Sequence, residues 1–393
     1  MDKENLQEQD LLEELTSDQQ RTGVEVEKTS DDSVAIVEPF DPEKIDVKTK
    51  PMTVDLIMAR IRGGDEEIDL MPDFQRRAGI WDQTRKSRLI ESLLLRIPLP
   101  VFYVASNQQD CWSVVDGLQR ITTLKEFIHD KVLVLQGLEF LHKLNGKKFV
   151  DLNRQMQRRI MESEVTVHII QPGTPSPVMF NIFKRINTGG LPLSAQEIRH
   201  AIKQGAATKL LKELAESKNF KEVTRNSIRD ERMADRECVL RFCAFYINPP
   251  DKYNTGDLDA LLIQTMDEIN SWPNNKIKDL TKRFKNTMDA AKRIFGKWAF
   301  RKYYGYGYRL SPINKALFEV WAVNLSKLSS DEIDYLEKHR EALMDKFADI
   351  MMLDLDFQSS ISAATGSVSN VRLRFKVIGN LIQEVMHAEK AAS

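Results

Sequence analysis

Four residues in one short turn have the types and the spacing that phosphate chemistry requires. They are Asp116, Gly117, Gln119 and Arg120. An apolar run typical of a β-strand precedes them and apolar residues at helical spacing follow, so the sequence predicts a strand, a tight turn and a helix. Glycine at such a turn lets a ligand approach the backbone, and the first N–H groups of a helix attract anions. A donor amide and a guanidinium fork would face the same space.

Two interpretations of this turn stay open from the window alone. In the first, Asp116 holds a metal ion beside a polyphosphate, and Arg120 contacts the phosphates. In the second, Asp116 is only the N-cap of the helix and Arg120 is only a surface charge. The sequence of the surrounding segments is needed to choose between these two interpretations.

The periodicity of these segments predicts the elements that position the turn. Two β-type runs joined by a polar loop predict a hairpin that ends at Asp116. Ser194 and Glu197 have the spacing of a capping box at the start of a further helix. Beyond about residue 205 the periodicity is almost entirely helical. The predicted helices cover residues 53–61, 83–96, 152–161 and 178–186, and the predicted strands cover residues 101–104, 111–115 and 165–170.

The chain divides into three predicted parts. Residues 1–45 combine many acids with sparse apolar positions and cannot bury enough surface to fold alone, so we predict an acidic, disordered arm or one ordered by a partner. Residues 46–205 are expected to form a mixed α+β domain, and residues 206–393 a helical domain. The predicted fold class is therefore α+β followed by an all-α domain.

Composition excludes several classes of protein. The 393 residues carry a formal net charge of −1, so the whole molecule is not a basic nucleic-acid binder, although a local basic face is compatible with this value. Cys111, Cys238 and Cys243 form no C-x-x-C pair, which excludes a disulfide framework and a cysteine zinc site. The sequence has no secretory signal and no apolar run of membrane-spanning length, so we expect a cytoplasmic protein without membrane contact. It also lacks the P-loop and Rossmann fingerprints.

Three motifs in order and at matching spacing resemble the N-terminal domain of GmrSD-type, modification-dependent restriction systems. They are Phe74-Gln75-Arg76 with Trp81, the D-G-x-Q-R turn at residues 116–120, and Phe183-Lys184-Arg185-Ile186-Asn187-Thr188-Gly189-Gly190 with Leu193-Ser194. The helical run over residues 232–242 also resembles the helix that follows in that family. The resemblance covers roughly residues 50–245.

This resemblance implies a ParB/sulfiredoxin-like domain that binds, and in some relatives hydrolyses, a nucleoside triphosphate with Mg²⁺. Such domains gate a nuclease in bacterial defence against phage or modified DNA. Carried over by position, the phosphate, metal or catalytic residues would be Asp116, Gln119 and Arg120, with Asp116 as the metal ligand. The further nucleotide contacts would be Gln75, Arg76, Gly117, Arg185, Asn187 and Thr188.

The sequence departs from the family pattern in two places. Leu118 stands where the usual D-G-Q-Q-R motif has glutamine, so one polar contact is missing. The six histidines are scattered singly and form no His-Asn-His-like constellation, so we expect no built-in nuclease of that class. The expected partners are therefore a separate nuclease or defence-system subunit, DNA, or a second copy of the chain.

A second functional hypothesis concerns the run from Lys297 to Arg309, which interleaves basic and aromatic residues. Such a surface can stack bases and neutralise phosphates, so it predicts a DNA-binding or DNA-nicking module without nucleotide turnover. Buried aromatics around a loop between helices explain the same pattern. A third hypothesis is an adaptor whose acidic arm mimics nucleic acid. The candidate DNA contacts are Arg301, Lys302, Tyr304 and Arg309.

Overall fold

The computed structural model describes residues 12–15, 20–28, 45–62, 67–70, 81–186, 193–230 and 232–387. The chain divides into two compact units. The first, Phe40–Ile202, is called here the α+β unit. The second, the helical unit, combines Met1–Pro39 with Lys203–Ser393. A mixed unit and an all-helical region from about residue 234 onward confirm the predicted fold class. The ParB/sulfiredoxin-like form of the first unit stays a prediction.

The α+β unit is built on a five-stranded mixed sheet with the strand order β3-β7-β5-β6-β4. Strands β5 and β6 pair antiparallel, which confirms the predicted hairpin, and β7 runs parallel to β5 on its other side. The strands are β3 (Val47–Thr53), β4 (Ile68–Asp69), β5 (Phe102–Ser106), β6 (Trp112–Asp116) and β7 (Glu164–Ile170). The helices are α1 (Val54–Arg62), α2 (Gln83–Leu94), α3 (Leu118–Leu124), α4 (Arg154–Met161), α5 (Ser176–Ile186) and α6 (Ala195–Ile202).

The core of this unit follows the alternation of its strands. Phe102, Val104 and Val114 point to one face of the sheet and are at most 1% exposed. They pack with apolar residues of α1, α2 and α3, so the hydrophobic effect fixes the register that brings the end of β6 beside the start of β5. Helix α3 continues directly into a π-helical turn, Lys125–His129. The predicted capping box is also confirmed, since Glu197 N donates to Ser194 Oγ and Ser194 N donates to the Glu197 carboxylate.

The helical unit packs its helices around α9, whose residues from Ala234 to Phe245 are all buried. None of the helices in the described part of the chain is both long and apolar enough to cross a lipid bilayer. The helices are α7 (Ala206–Glu216), α8 (Lys218–Val223), α9 (Ala234–Ile247), α10 (Leu258–Asn270), α11 (Asn274–Phe295), α12 (Lys315–Leu325), α13 (Ser330–Lys338), α14 (Arg340–Leu353), α15 (Leu355–Ser362) and α16 (Val368–His387).

A β-hairpin from the N-terminal segment belongs to the helical unit. Its strands are β1 (Glu13–Leu15) and β2 (Arg21–Glu25), which pair antiparallel. Val24 is fully buried in the helical core, and Ile313 N donates to the Gly23 carbonyl at 3.0 Å. The prediction of a disordered acidic arm is therefore wrong for residues 12–15 and 20–28.

The acids of this hairpin explain why the prediction failed. Glu25 is 5% exposed and lies 2.9 Å from Lys302 Nζ, while Lys315 Nζ donates to Glu14 at 2.6 Å. Burial alone would lower the pKa of Lys315, but nearby carboxylates, including that of Glu14, raise it above its usual value. The arm carries the counter-charges of buried bases in the helical unit, so its acidity favours docking instead of disorder.

Replacing Glu25 tests this docking. Glu25→Ala leaves the buried Lys302 ammonium without the carboxylate that balances its charge, so we expect a loss of about 3–5 kcal/mol in the free energy of unfolding by urea. Glu341→Ala, which removes an exposed acid from α14, is the control and should change it by less than about 0.5 kcal/mol. Equal, small effects of both substitutions would support the disordered arm.

Candidate functional site

The turn between β6 and α3 is shaped by Gly117. Its φ angle is +99°, in the left-handed region. A Cβ atom here would lie 2.5 Å from Cδ1 of the Phe102 ring, closer than real Cβ atoms approach. Glycine is therefore required both for the backbone conformation and for the close packing of the turn against strand β5.

Arg120 lies in the first turn of α3, and its side chain is only 9% exposed. Nη1 donates to the carbonyl oxygens of Pro100 and Val101, and Nη2 donates to Asp116 Oδ2 at 2.7 Å. The guanidinium carbon also lies 4.6 Å from the centre of the Phe102 ring. The fork thus ties the end of β6 and the start of α3 to the chain that enters β5. Its role in the described structure is to position Asp116.

This geometry bears on both interpretations of the turn. In the first, Arg120 contacts phosphates, whereas its fork here contacts protein oxygens. The N-cap of α3 is Gly117, and no side chain caps the helix there. The interpretation of Asp116 as a mere N-cap is therefore wrong, and so is that of Arg120 as a mere surface charge. What remains is a turn in which a buried arginine fixes the position of a partly exposed carboxylate.

Three groups at the turn are available to a ligand. The Asp116 side chain is 34% exposed, and only its Oδ2 accepts from Arg120. Gln119 accepts a hydrogen bond from Trp81 N through Oε1 at 3.2 Å, so its amide nitrogen is the donor that remains. The first intrahelical hydrogen bond of α3 runs from Ile121 N to Gly117 O, which leaves the earlier N–H groups of the helix without an intrahelical partner. A carboxylate and several donors therefore border the same turn, the arrangement that a metal-bound phosphate requires.

The other predicted nucleotide contacts divide into two groups. Gln75, Arg76, Asn187 and Thr188 lie outside the described residues. Arg185 is exposed at the penultimate position of α5, and no hydrogen bond or ion pair joins it to the turn within the part of the chain that is described. The structure brings together Asp116, Gly117, Gln119 and Arg120 but not Arg185. The hydrogen bond from Trp81, which closes the first motif, nevertheless joins that motif to the second.

Sequence reasoning missed the residues that hold Arg120. Phe102 falls in the predicted strand 101–104 and Pro100 has no predicted role, yet one stacks on the guanidinium and the other accepts from it. The predicted hairpin contained a signal for this contact. In the hairpin the start of β5 lies beside the end of β6, so the carbonyl of Pro100, just before β5, lies close to the start of α3. Tyr103 lies opposite Asp116 in the β5–β6 ladder.

The predicted DNA surface in the helical unit is wrong for three of its four residues. Arg301, Lys302 and Tyr304 are 5%, 4% and 9% exposed, and only Arg309 is exposed. Burial and the nearby Arg225 lower the pKa of Arg301 to about 10, and its guanidinium donates to Ser311 O and Ser227 Oγ. The run from Lys297 to Arg309 therefore fits the alternative explanation given above. Its buried aromatic and basic side chains surround a loop between helices.

A metal ion at the turn would depend on few protein ligands. Among the described residues, no three or more His, Cys, Asp or Glu side chains form a group that could hold one. The single carboxylate of Asp116 would be compatible with Mg²⁺, because proteins usually bind this ion through one or two carboxylates together with the phosphates of a nucleotide.

Replacing Gly117 separates backbone strain from steric contact. Gly117→Ala should destabilise the protein in thermal unfolding by more than Gly146→Ala does. Both glycines have positive φ angles, +99° and +82°, but only at Gly117 would a Cβ meet other atoms. We expect the control to cost about 1 kcal/mol and Gly117→Ala about 1–3 kcal/mol more. Equal costs would show that the contact with Phe102 relaxes freely.

Comparison with known families adds an independent finding. Residues 56–203 match the family model described as GmrSD restriction endonuclease, N-terminal domain. No curated protein matches the chain. The matched range contains the β6–α3 turn and most of the α+β unit, and it indicates a component of a restriction or defence system. Over residues 56–203 the chain is therefore similar to the N-terminal domain of the GmrSD restriction endonuclease family.

Proposed function

We propose that the protein is a nucleotide-binding regulatory component of a restriction or anti-phage defence system, acting in the cytoplasm. In this proposal, nucleotide state gates contact with DNA or with a partner nuclease. The observation that carries it is the β6–α3 turn, where Arg120 holds the carboxylate of Asp116 in place beside an uncapped helix start. The Asp116 side chain stays 34% exposed in this arrangement, so its carboxylate is accessible to a ligand.

Each residue at the turn has a defined part in binding. Asp116 would hold Mg²⁺ through its open Oδ1, with the phosphates completing the coordination. Bound Mg²⁺ would neutralise charge on the nucleoside triphosphate. The Gln119 amide would donate to a phosphate oxygen, and the N–H groups at the start of α3 would face the same anion. Arg120 acts as a positioning residue, because its fork is already occupied by Asp116 and two carbonyl groups.

Hydrolysis of the nucleotide is a separate part of the proposal. A Mg²⁺ ion held by Asp116 would lower the pKa of a bound water and favour its attack on the nucleotide, so turnover would depend on the charge of Asp116. The family resemblance adds Gln75, Arg76, Asn187 and Thr188 as further contacts, and these stay predictions.

Titration calorimetry tests the binding step. Wild-type protein with Mg²⁺ should bind at least one of the four nucleoside triphosphates. Gln119→Ala should weaken binding roughly tenfold to a hundredfold, since a hydrogen bond to a charged group contributes about 1.5–3 kcal/mol. Arg120→Lys should weaken it as well, although the charge is kept, because one ammonium cannot hold two carbonyls and Asp116 in the geometry of the fork.

Arg88→Ala is the matched control, since Arg88 is an exposed arginine of the same unit that pairs with exposed Glu139. It should bind nucleotide like the wild type. The proposal fails if pure wild-type protein binds none of the four nucleotides, or if Gln119→Ala and Arg120→Lys both bind with wild-type affinity.

A further inference from the structure

A cleft of about 690 Å³ lies in the α+β unit, and none of its lining residues belongs to the β6–α3 turn. Its walls are the C-terminal end of α2, helix α4 and the start of β7. Arg96 comes from the turn after α2, and Arg154, Arg158 and Arg159 come from α4. We propose that this arginine cleft binds the phosphodiester backbone of double-stranded DNA.

Two of the four guanidinium groups have no partner among the described residues. The side chains of Arg96 and Arg154 are exposed and make no hydrogen bond or ion pair to any residue that the structure describes. Arg158 and Glu162 form an ion pair in which the side chains are 69% and 63% exposed. An exposed pair of this kind contributes little to stability, so Arg158 can exchange Glu162 for a phosphate at small cost.

Arg96 stands at a position where backbone geometry favours glycine. Its φ angle is +61°, and Ile97 N donates to Ser92 O at 2.8 Å, as in a helix that closes with a left-handed residue. The open carbonyl of Leu94 at this helix end already accepts from Arg159 Nη1. The backbone of Arg96 closes α2, with Arg96 N donating to Leu93 O at 3.1 Å, but its side chain takes no part in this cap. The guanidinium of Arg96 is therefore available to a ligand in the cleft.

The chemistry of the cleft fits a nucleic-acid backbone. Arginine forks match phosphate oxygens, and Arg154 and Arg158 follow one another at one helical turn, roughly 6 Å along the axis of α4. None of the described residues that line the cleft is aromatic, so they offer no platform for unpaired bases. Contacts of this type are independent of base sequence and depend strongly on salt. Glu162 and Glu164 reduce the positive charge, which keeps such binding weak and easily regulated.

Fluorescence anisotropy with a labelled 20-base-pair duplex and the full-length chain tests the proposal, at a series of KCl concentrations and without nucleotide. The double substitution Arg96→Gly with Arg154→Ala should reduce the slope of log K against log [KCl] by about 2, because each lost phosphate contact removes roughly 0.9. The control is Arg85→Ala with Arg88→Ala, two exposed arginines on α2 outside the cleft. It removes the same charge and should leave the slope nearly unchanged.

Two single substitutions separate binding from folding. Arg96→Gly relieves the left-handed strain, so it should unfold at the same or a higher temperature while binding DNA more weakly. Glu162→Gln removes the competing carboxylate and should bind DNA more tightly at a given salt concentration. A stability role for the cleft predicts neither change.

The proposal is overturned if the wild type does not bind the duplex at 50 mM KCl, if the control pair lowers the slope as much as the cleft pair, or if Glu162→Gln weakens binding. Because nucleotide is absent from the assay, these outcomes are independent of the nucleotide site. If the protein binds DNA but no nucleotide, the proposed function is refuted and the proposal that the arginine cleft binds DNA stands.

Discussion

The guanidinium of Arg120 holds the centre of the α+β unit together. It binds the carbonyls of Pro100 and Val101, contacts the Phe102 ring and pairs with Asp116 at the end of the neighbouring strand. A buried charge of this kind is costly unless each donor finds an acceptor, so the positions of these groups are mutually dependent. The same interaction that satisfies the charge also presents the free oxygen of Asp116 at the turn. Structure and proposed chemistry therefore rest on one side chain.

The helical unit uses buried charge in a different way. Arg374 and Glu319 are both fully buried and pair with each other, and Arg241 pairs with Glu27 from the N-terminal segment. Burial alone would raise the pKa of Glu27, but Arg241 lowers it below the usual value. This carboxylate contributes stability that is present above its unfolded-state pKa and is lost as the pH falls through its lowered pKa. The hairpin is thus held to the helices by charges as well as by the burial of Val24.

Much of this architecture could be predicted from local sequence. The change from β-type to helical spacing around Asp116 located the strand, turn and helix, because side-chain periodicity follows directly from backbone geometry. The same reasoning failed where charge decides the outcome. Acids near Glu25 are typical of a solvated arm, and basic residues near Arg301 are typical of a surface, yet both are buried by partners distant in sequence. Periodicity carries no information about such partners.

Helix α2 physically connects the two proposed binding sites. Trp81, just before its N-cap, donates to Gln119 at the turn, and Arg96, just after its C-terminus, lines the arginine cleft. The helix has 12 residues, so it spans about 18 Å, and it packs against both α3 and α4. A nucleotide can alter DNA contact only through interactions that differ between two states of the protein. The hydrogen bond between Trp81 and Gln119 is such an interaction, because a phosphate that reorients the Gln119 amide changes the anchor of α2. A nucleotide-dependent DNA affinity that persists in Gln119→Ala would show that the coupling takes another route.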